Sequence, residues 1–116
     1  MSDCLFCAIV AGDVPAEVVH KGERTVAFRD INPVAPVHVL VVPRRHIENA
    51  AALAPQDADD VLALFTTARA IAESEGIGSP DRGYRLVLNV GPDALNSVPH
   101  LHLHVIGGRT MSGALG

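Results

Sequence analysis

The apolar positions of this chain fall into short runs with two different periods. Val37–Val42 is almost wholly apolar and mostly β-branched, is closed by Pro43, and predicts a buried strand. Val18–His20 and Thr25–Arg29 read as shorter strands, with Lys21, Gly22 and Glu23 as the turn between them. From Pro55 to about Glu75 the period changes. Val61, Leu64, Phe65, Ala68 and Ala72 recur there at helical spacing, which predicts one long helix with those side chains on its buried face, ended by Gly76 and Gly78. Residues 5–11 predict a short helix stopped by Gly12. Tyr84–Val90 and His100–Ile106 are the remaining strands, separated by a loop over Gly91–Ser97. Strands joined by short turns, with one long helix between two of them, define an α+β class with a mainly antiparallel sheet. No internal repeat or low-complexity tract divides the 116 residues, so 1–116 reads as one domain with a loop-like tail from about residue 110.

Composition narrows the function. A net charge of −4, with no basic run among aromatics, argues against a nucleic-acid surface, which needs positive charge to release counterions. No apolar stretch is long enough to span a bilayer, so no membrane partner is expected. The opening MSDCLFCAIVAGD lacks a signal peptide's basic start, and a cytoplasmic location follows as the default. In such a compartment the pair Cys4 and Cys7 is not expected to form a structural disulfide, which leaves a metal site, a redox pair or two plain thiols. The redox option lacks the βαβ context it needs. His20 beside Lys21 and Gly22 reads as a solvated surface residue.

The chemistry concentrates in PHLHLHVIGG, residues 99–108, which holds three of the six histidines. Side chains alternate along a strand, so Leu101, Leu103 and Val105 are expected in the core and His100, His102 and His104 on the opposite face. Neighbours on that face lie roughly 6.5–7 Å apart and the outer pair about 13 Å apart at the backbone, too far for one zinc ion with bonds of about 2.1 Å to gather all three. At least one therefore has another task. A neutral imidazole is available at neutral pH and suits attack on phosphorus, provided its second nitrogen has an acceptor that fixes the tautomer. The middle histidine is best placed, and a protonated neighbour could hold a phosphate oxygen.

Pro99-His100-Leu101-His102-Leu103-His104-Val105-Ile106 resembles the His-φ-His-φ-His-φ-φ signature of the histidine triad (HIT) family. Phe28-Arg29-Asp30-Ile31-Asn32-Pro33 resembles that family's ribose-binding strand end, and Val37 through Ile47 its second signature. Asn89-Val90-Gly91 and Ser97-Val98 resemble the segments before the triad. The chain is most similar to the Hint branch, the purine nucleoside phosphoramidases, and to its zinc-binding bacterial type. The resemblance implies a five-stranded antiparallel sheet and a homodimer with a continuous ten-stranded sheet. The helix face at 61–72 and the strand near Tyr84 are the candidate contacts. It implies that His102 attacks the α-phosphorus of a purine nucleoside 5′-phosphoramidate or acyl-nucleotide and that water then releases the nucleoside monophosphate, with no catalytic cofactor. His104, His38 and Ser97 would handle the phosphate and leaving group. Asn89 would contact phosphate and sugar, Asp30 the ribose, and Val14, Phe28 and Ile31 the base. For Asp30 a turn-forming role and for Phe28 and Ile31 a place in the core are the structural alternatives.

The resemblance also implies a structural zinc held by Cys4, Cys7, His46 and His100, a closed Cys2His2 set. This gives the first triad histidine to the metal and the other two to the chemistry. Three departures stand out. Leu95 occupies a position where Hint proteins usually have glycine, Asn96 replaces a longer amide, and Pro99 replaces an aromatic. Three other functions stay open on the sequence: a metallohydrolase with catalytic zinc on His38, His100 and His102, a diadenosine polyphosphate hydrolase, and a nucleotide-binding interaction protein with negligible turnover.

Overall fold

The computed structural model describes residues 4–114. Positions 1–3, part of the start read above for a leader, and positions 115–116 of the tail lie outside the described residues. In chain order the elements are α1 (Leu5–Ala11), β1 (Val18–Lys21), β2 (Thr25–Arg29), β3 (Val37–Pro43), α2 (Ala58–Ser74), β4 (Tyr84–Val87) and β5 (Leu103–Gly107). The five strands form one sheet in the order β1-β2-β3-β5-β4, antiparallel throughout. The α+β class is as expected.

β3 lies at the centre, and all seven of its residues are buried. Its apolar run follows from being covered on both faces. Ala27, Val37, Val39, Val41, Leu103 and Val105 pack under α2 through Leu64, Ala68, Ile71 and Ala72. On the other face Val26, Phe28, Leu40 and Val42 pack against Phe6 and Cys4 at the start of α1. Leu40 pairs with His104, so His104 shares this second face, away from the long helix.

Five expectations are corrected. The long helix starts at Ala58; Pro55–Asp57 forms a tighter 3₁₀ turn in which Asp57 accepts the Ala54 amide at 2.9 Å. Phe65 is not on its buried face but 40 % exposed. The buried stripe is rotated and includes Asp60 and Thr67, polar residues that have partners: Asp60 meets Arg24 and Arg45, and Thr67 bonds Thr25 across 2.7 Å. β4 stops at Val87, and β5 begins only at Leu103. Upstream of it the chain has left the sheet. His100 N–H bonds the Val98 carbonyl at 2.9 Å, and Leu101 N–H bonds the Ile47 carbonyl at 2.6 Å. His20 is half-buried rather than fully solvated. No described helix is long and apolar enough to cross a membrane.

Candidate active site and metal centre

The three triad imidazoles sit in three different surroundings, each set by the hydrogen bond on one ring nitrogen. His100 is fully buried, and its Nε2 donates to the Pro43 carbonyl at 2.9 Å. Its Nδ1 therefore carries the lone pair, which faces Cys4 Sγ and Cys7 Sγ, each at 3.3 Å. His46 Nδ1 lies 3.3 Å from Cys7 Sγ, and the four donor atoms all fall within 4.8 Å of one another. In a tetrahedral zinc site, bonds of about 2.3 Å to sulfur and 2.0–2.1 Å to nitrogen place S and N about 3.6 Å apart, close to what is seen. The donor set, the lone pair on His100 Nδ1 and the spacing all fit a Cys2His2 centre. Its members come from α1, from the segment after β3 and from the approach to β5, so an ion here would cross-link three parts of the chain.

His102 is turned the other way. Its Nδ1 donates to the carbonyl of His100 at 2.7 Å, which leaves the lone pair on Nε2. Phe6 packs edge-on against the ring, with centroids 5.0 Å apart at 85°. The rotamer is thus fixed on both sides.

His38 and His104 form a relay. The Val34 amide donates to His38 Nδ1 at 3.2 Å, so the proton of His38 sits on Nε2. That nitrogen donates to His104 Nδ1 at 2.9 Å and lies 3.4 Å from Asp30 Oδ2. His104 must then carry its proton on Nε2, a buried atom with no partner among the described residues. Burial, the largest influence, and the nearby imidazoles His102 and His38 push the His104 pKa down to about 4, against the pull of Asp30. Burial also lowers His38, again against Asp30. His104 is therefore a neutral N–H donor at pH 7, a correction to the protonated neighbour expected above.

A cavity of about 430 Å³ opens on this face of the sheet. His102, His104, Asn89, Ser97, Asp30 and Val14 all line it, as do Phe28 and Ile31. Phe28 is also core, at 3 % exposure, whereas Ile31 is 90 % exposed at the rim. Asp30 is both turn former and cavity residue: Oδ1 accepts the Asn32 amide at 2.8 Å, while Oδ2 turns to His38. His38 itself is not on the cavity wall; it is buried behind His104 and reaches the cavity only through that ring. The catalytic-zinc alternative on His38, His100 and His102 lacks support, because these three rings serve a backbone amide, a thiol pair and a backbone carbonyl. A second hollow of about 520 Å³, at the far end of β4 and β5, is lined by Arg82, Arg85 and Arg109 and contains none of the triad residues.

Sequence reasoning missed Leu5, Phe6 and Ile9, which wall the cavity from α1. The Cys-x-x-Cys frame was the available signal, since tying Cys4 and Cys7 to His100 brings Phe6 beside His102. The departure at Leu95 has a structural counterpart. Leu95 has φ 59° and ψ 31°, the left-handed conformation that glycine adopts freely, and its side chain is 87 % exposed on the cavity rim.

An antiparallel five-stranded sheet carrying a His-x-His-x-His segment over an open cavity, with a thiol-imidazole cluster at one end, defines a histidine-triad architecture. The HIT domain family matches residues 11–111, and the chain belongs to that family. A 14 kDa zinc-binding protein of Brassica juncea is 39 % identical over 112 residues, covering 95 % of this chain and 96 % of the relative. A HIT family hydrolase from Legionella pneumophila superposes with a TM-score of 0.94 at 39 % identity, over 98 % of this chain and 100 % of the other. A histidine triad nucleotide-binding protein from Candida albicans superposes with a TM-score of 0.73 at 25 % identity, over 98 % and 85 %.

Proposed function

We propose that the protein is a nucleotide hydrolase of the Hint type, which cleaves purine nucleoside 5′-phosphoramidates or acyl-nucleotides through a nucleotidyl-histidine. His102 Nε2 attacks the α-phosphorus and the bond to the leaving group breaks, an amine departing with a proton taken up from solvent or a carboxylate departing as the anion. Water then cleaves the P–N bond to the enzyme and releases the monophosphate. The observation that carries this reading is the pair of opposed tautomers: His102 with its lone pair on Nε2 and His104 with its proton on Nε2, both on one cavity. The first is a nucleophile and the second a donor for the charge that develops on a phosphate oxygen. In this reading Ser97 and Asn89 contact the phosphate and leaving group, Asp30 the ribose hydroxyls, and Phe28, Ile31 and Val14 the base.

Zinc belongs to the same proposal. Cys4, Cys7, His46 and His100 would hold it as a closed structural site, and its chemistry there is to cross-link the chain. The homodimer is supported by uncovered apolar groups. β4 is an edge strand, and Leu86 and Tyr84, on the sheet face that α2 covers elsewhere, remain 37 % and 36 % exposed. Leu62 and Phe65 are exposed on α2 at 64 % and 40 %, whereas Leu64, Ala68 and Ala72 of the expected contact face are core.

The test is adenosine 5′-phosphoramidate hydrolysis by the wild type and His102→Ala, with mass spectrometry of the acid-quenched reaction. A nucleotidyl group on His102, with turnover abolished but AMP binding retained in the variant, is the expected result. Undiminished hydrolysis by His102→Ala overturns the assignment. Wild-type binding of AMP without turnover favours the interaction-protein alternative.

A further inference from the structure

β5 runs on past Gly107 into Gly108 and Arg109, and these two residues fold against the connection between β2 and β3. Gly108 has φ 98°, and a Cβ there would lie 2.9 Å from the Pro36 Cβ, so the two segments touch. Arg109 Nη2 donates to the Val34 carbonyl at 3.0 Å, while Nη1 bonds the Thr110 carbonyl at 3.1 Å. The amide of the same Val34 is the donor to His38 Nδ1. Residues 31–34 of this connection are exposed, and Pro33 and Pro36 have no amide hydrogen to contribute. Its other fastenings are at its base: Asp30 N–H to the His38 carbonyl at 3.0 Å, and the Asp30–Asn32 turn.

We propose that Arg109 is a positioning residue for the active site: held on the Val34 carbonyl, it keeps the Val34 amide on His38 Nδ1 and so directs the N–H of His104 into the cavity. The chain of bonds is Arg109 to Val34, Val34 to His38, and His38 to His104, at 3.0, 3.2 and 2.9 Å. Without the arginine the Val34 amide drifts from the ring. His38 then gains access to the tautomer with its proton on Nδ1, in which Nε2 accepts instead of donating. The relay reverses, and His104 presents a lone pair to the phosphate oxygen where an N–H is needed. The catalytic consequence rests on the reading of His104 given under Proposed function; the tautomer consequence does not.

The experiment compares wild type, Arg109→Ala and Arg109→Lys by ¹⁵N NMR of histidine-labelled protein and by phosphoramidate kinetics. In the wild type His38 and His104 give the shifts of the Nε2–H form. In Arg109→Ala the His38 signals move toward a mixture of tautomers, and kcat falls roughly three- to tenfold, the worth of one net hydrogen bond, with KM little changed. Arg109→Lys keeps a donor and recovers part of both. Unmoved His38 signals in Arg109→Ala overturn the proposal whatever the rate does. So does a fall in thermal midpoint with the tautomer and kcat intact, which makes the arginine merely structural. If the wild type turns over no phosphoramidate, the functional reading fails while the NMR comparison still decides the positioning role. Should Arg109→Ala not fold, Arg109→Met, which keeps an unbranched side chain but has no N–H donor, is read by the same shifts.

Discussion

His38 Nε2 and His104 Nδ1 lie 2.9 Å apart, and the direction of that bond is set from outside the pair by the Val34 amide. One backbone N–H thereby decides which nitrogen of a ring on another strand carries a proton. The outcome is a buried donor on His104 Nε2 with no partner among the described residues. Leaving a buried polar group unpaired is unfavourable by about 1–3 kcal/mol, an expense that a bound phosphate oxygen would relieve.

His104→Ala removes that donor and leaves the tautomer bond of His102 in place. Hydrolysis of a phosphoramidate is expected to fall by roughly 10²–10³, as for loss of a preorganised oxyanion donor. Rapid-quench measurement of the nucleotidyl-enzyme would show its formation slowed; a variant that retains the full rate would remove His104 from the chemistry.

Much of this site could be read from the sequence because strand alternation and the spacing of His100, His102 and His104 constrain geometry locally. Leu103 and Val105 are in the core and His104 on the opposite face, as alternation requires. What could not be read depends on partners distant in the chain. Thr67 and Asp60 are polar and fall outside the apolar spacing that marks the helix's buried face, and partners at Thr25, Arg24 and Arg45 make their burial tolerable. The protonation of His104 likewise depends on Val34 and His38, and burial overrides the ordinary imidazole pKa. The start of β5 only at Leu103 reflects the Pro43 terminus of β3, whose carbonyl is taken by the His100 ring.

Elemental analysis of protein purified without chelator is expected to find about one zinc per chain. Its removal by a strong chelator should lower the thermal midpoint markedly, because an ion held there would close loops between residue 4, residue 46 and residue 100. Cys4→Ser should do the same. Phosphoramidate hydrolysis should persist in whatever fraction stays folded, since His102 and His104 lie outside the donor set. Prompt loss of turnover with an unchanged circular-dichroism spectrum would assign the metal a part in the chemistry.

Mild acid should destabilise the fold through its buried imidazoles. His104 binds its proton at about pH 4 when folded and near 6.5 when unfolded, so between those values the unfolded state holds more protons. Stability therefore rises with pH across this window and is lost as pH falls through it, by up to about 3 kcal/mol for His104. His38 contributes with the same sign, through burial. Below the usual carboxylate range a second loss follows, because Arg29 holds Glu75 low, and the Ala54 amide with Arg45 holds Asp57 low. Denaturant midpoints at pH 7 and pH 5 would measure the first loss, and His104→Phe should reduce it, leaving the part due to His38. Equal midpoints in wild type would contradict the assigned proton positions.

The loop before Ser97 offers the last test. Leu95 is the single described residue other than glycine with positive φ, and its side chain is 87 % exposed. For an L-residue this conformation is unfavourable by roughly 1–2 kcal/mol. Exposure on that scale leaves little packing to offset it. Glycine relieves the strain but gives the unfolded chain more freedom, an opposing effect of roughly 0.4–1 kcal/mol. Leu95→Gly is therefore expected to raise stability by about 1 kcal/mol or less, and Leu95→Ala, which keeps the strain, to leave it unchanged or lower. Because Leu95 also forms part of the cavity rim with Ile31, the glycine variant should accept bulkier leaving amines with a lower KM. Paired melting curves and a leaving-group series would read the two effects separately; a Leu95→Gly protein less stable than Leu95→Ala would show that the leucine side chain holds the loop in place.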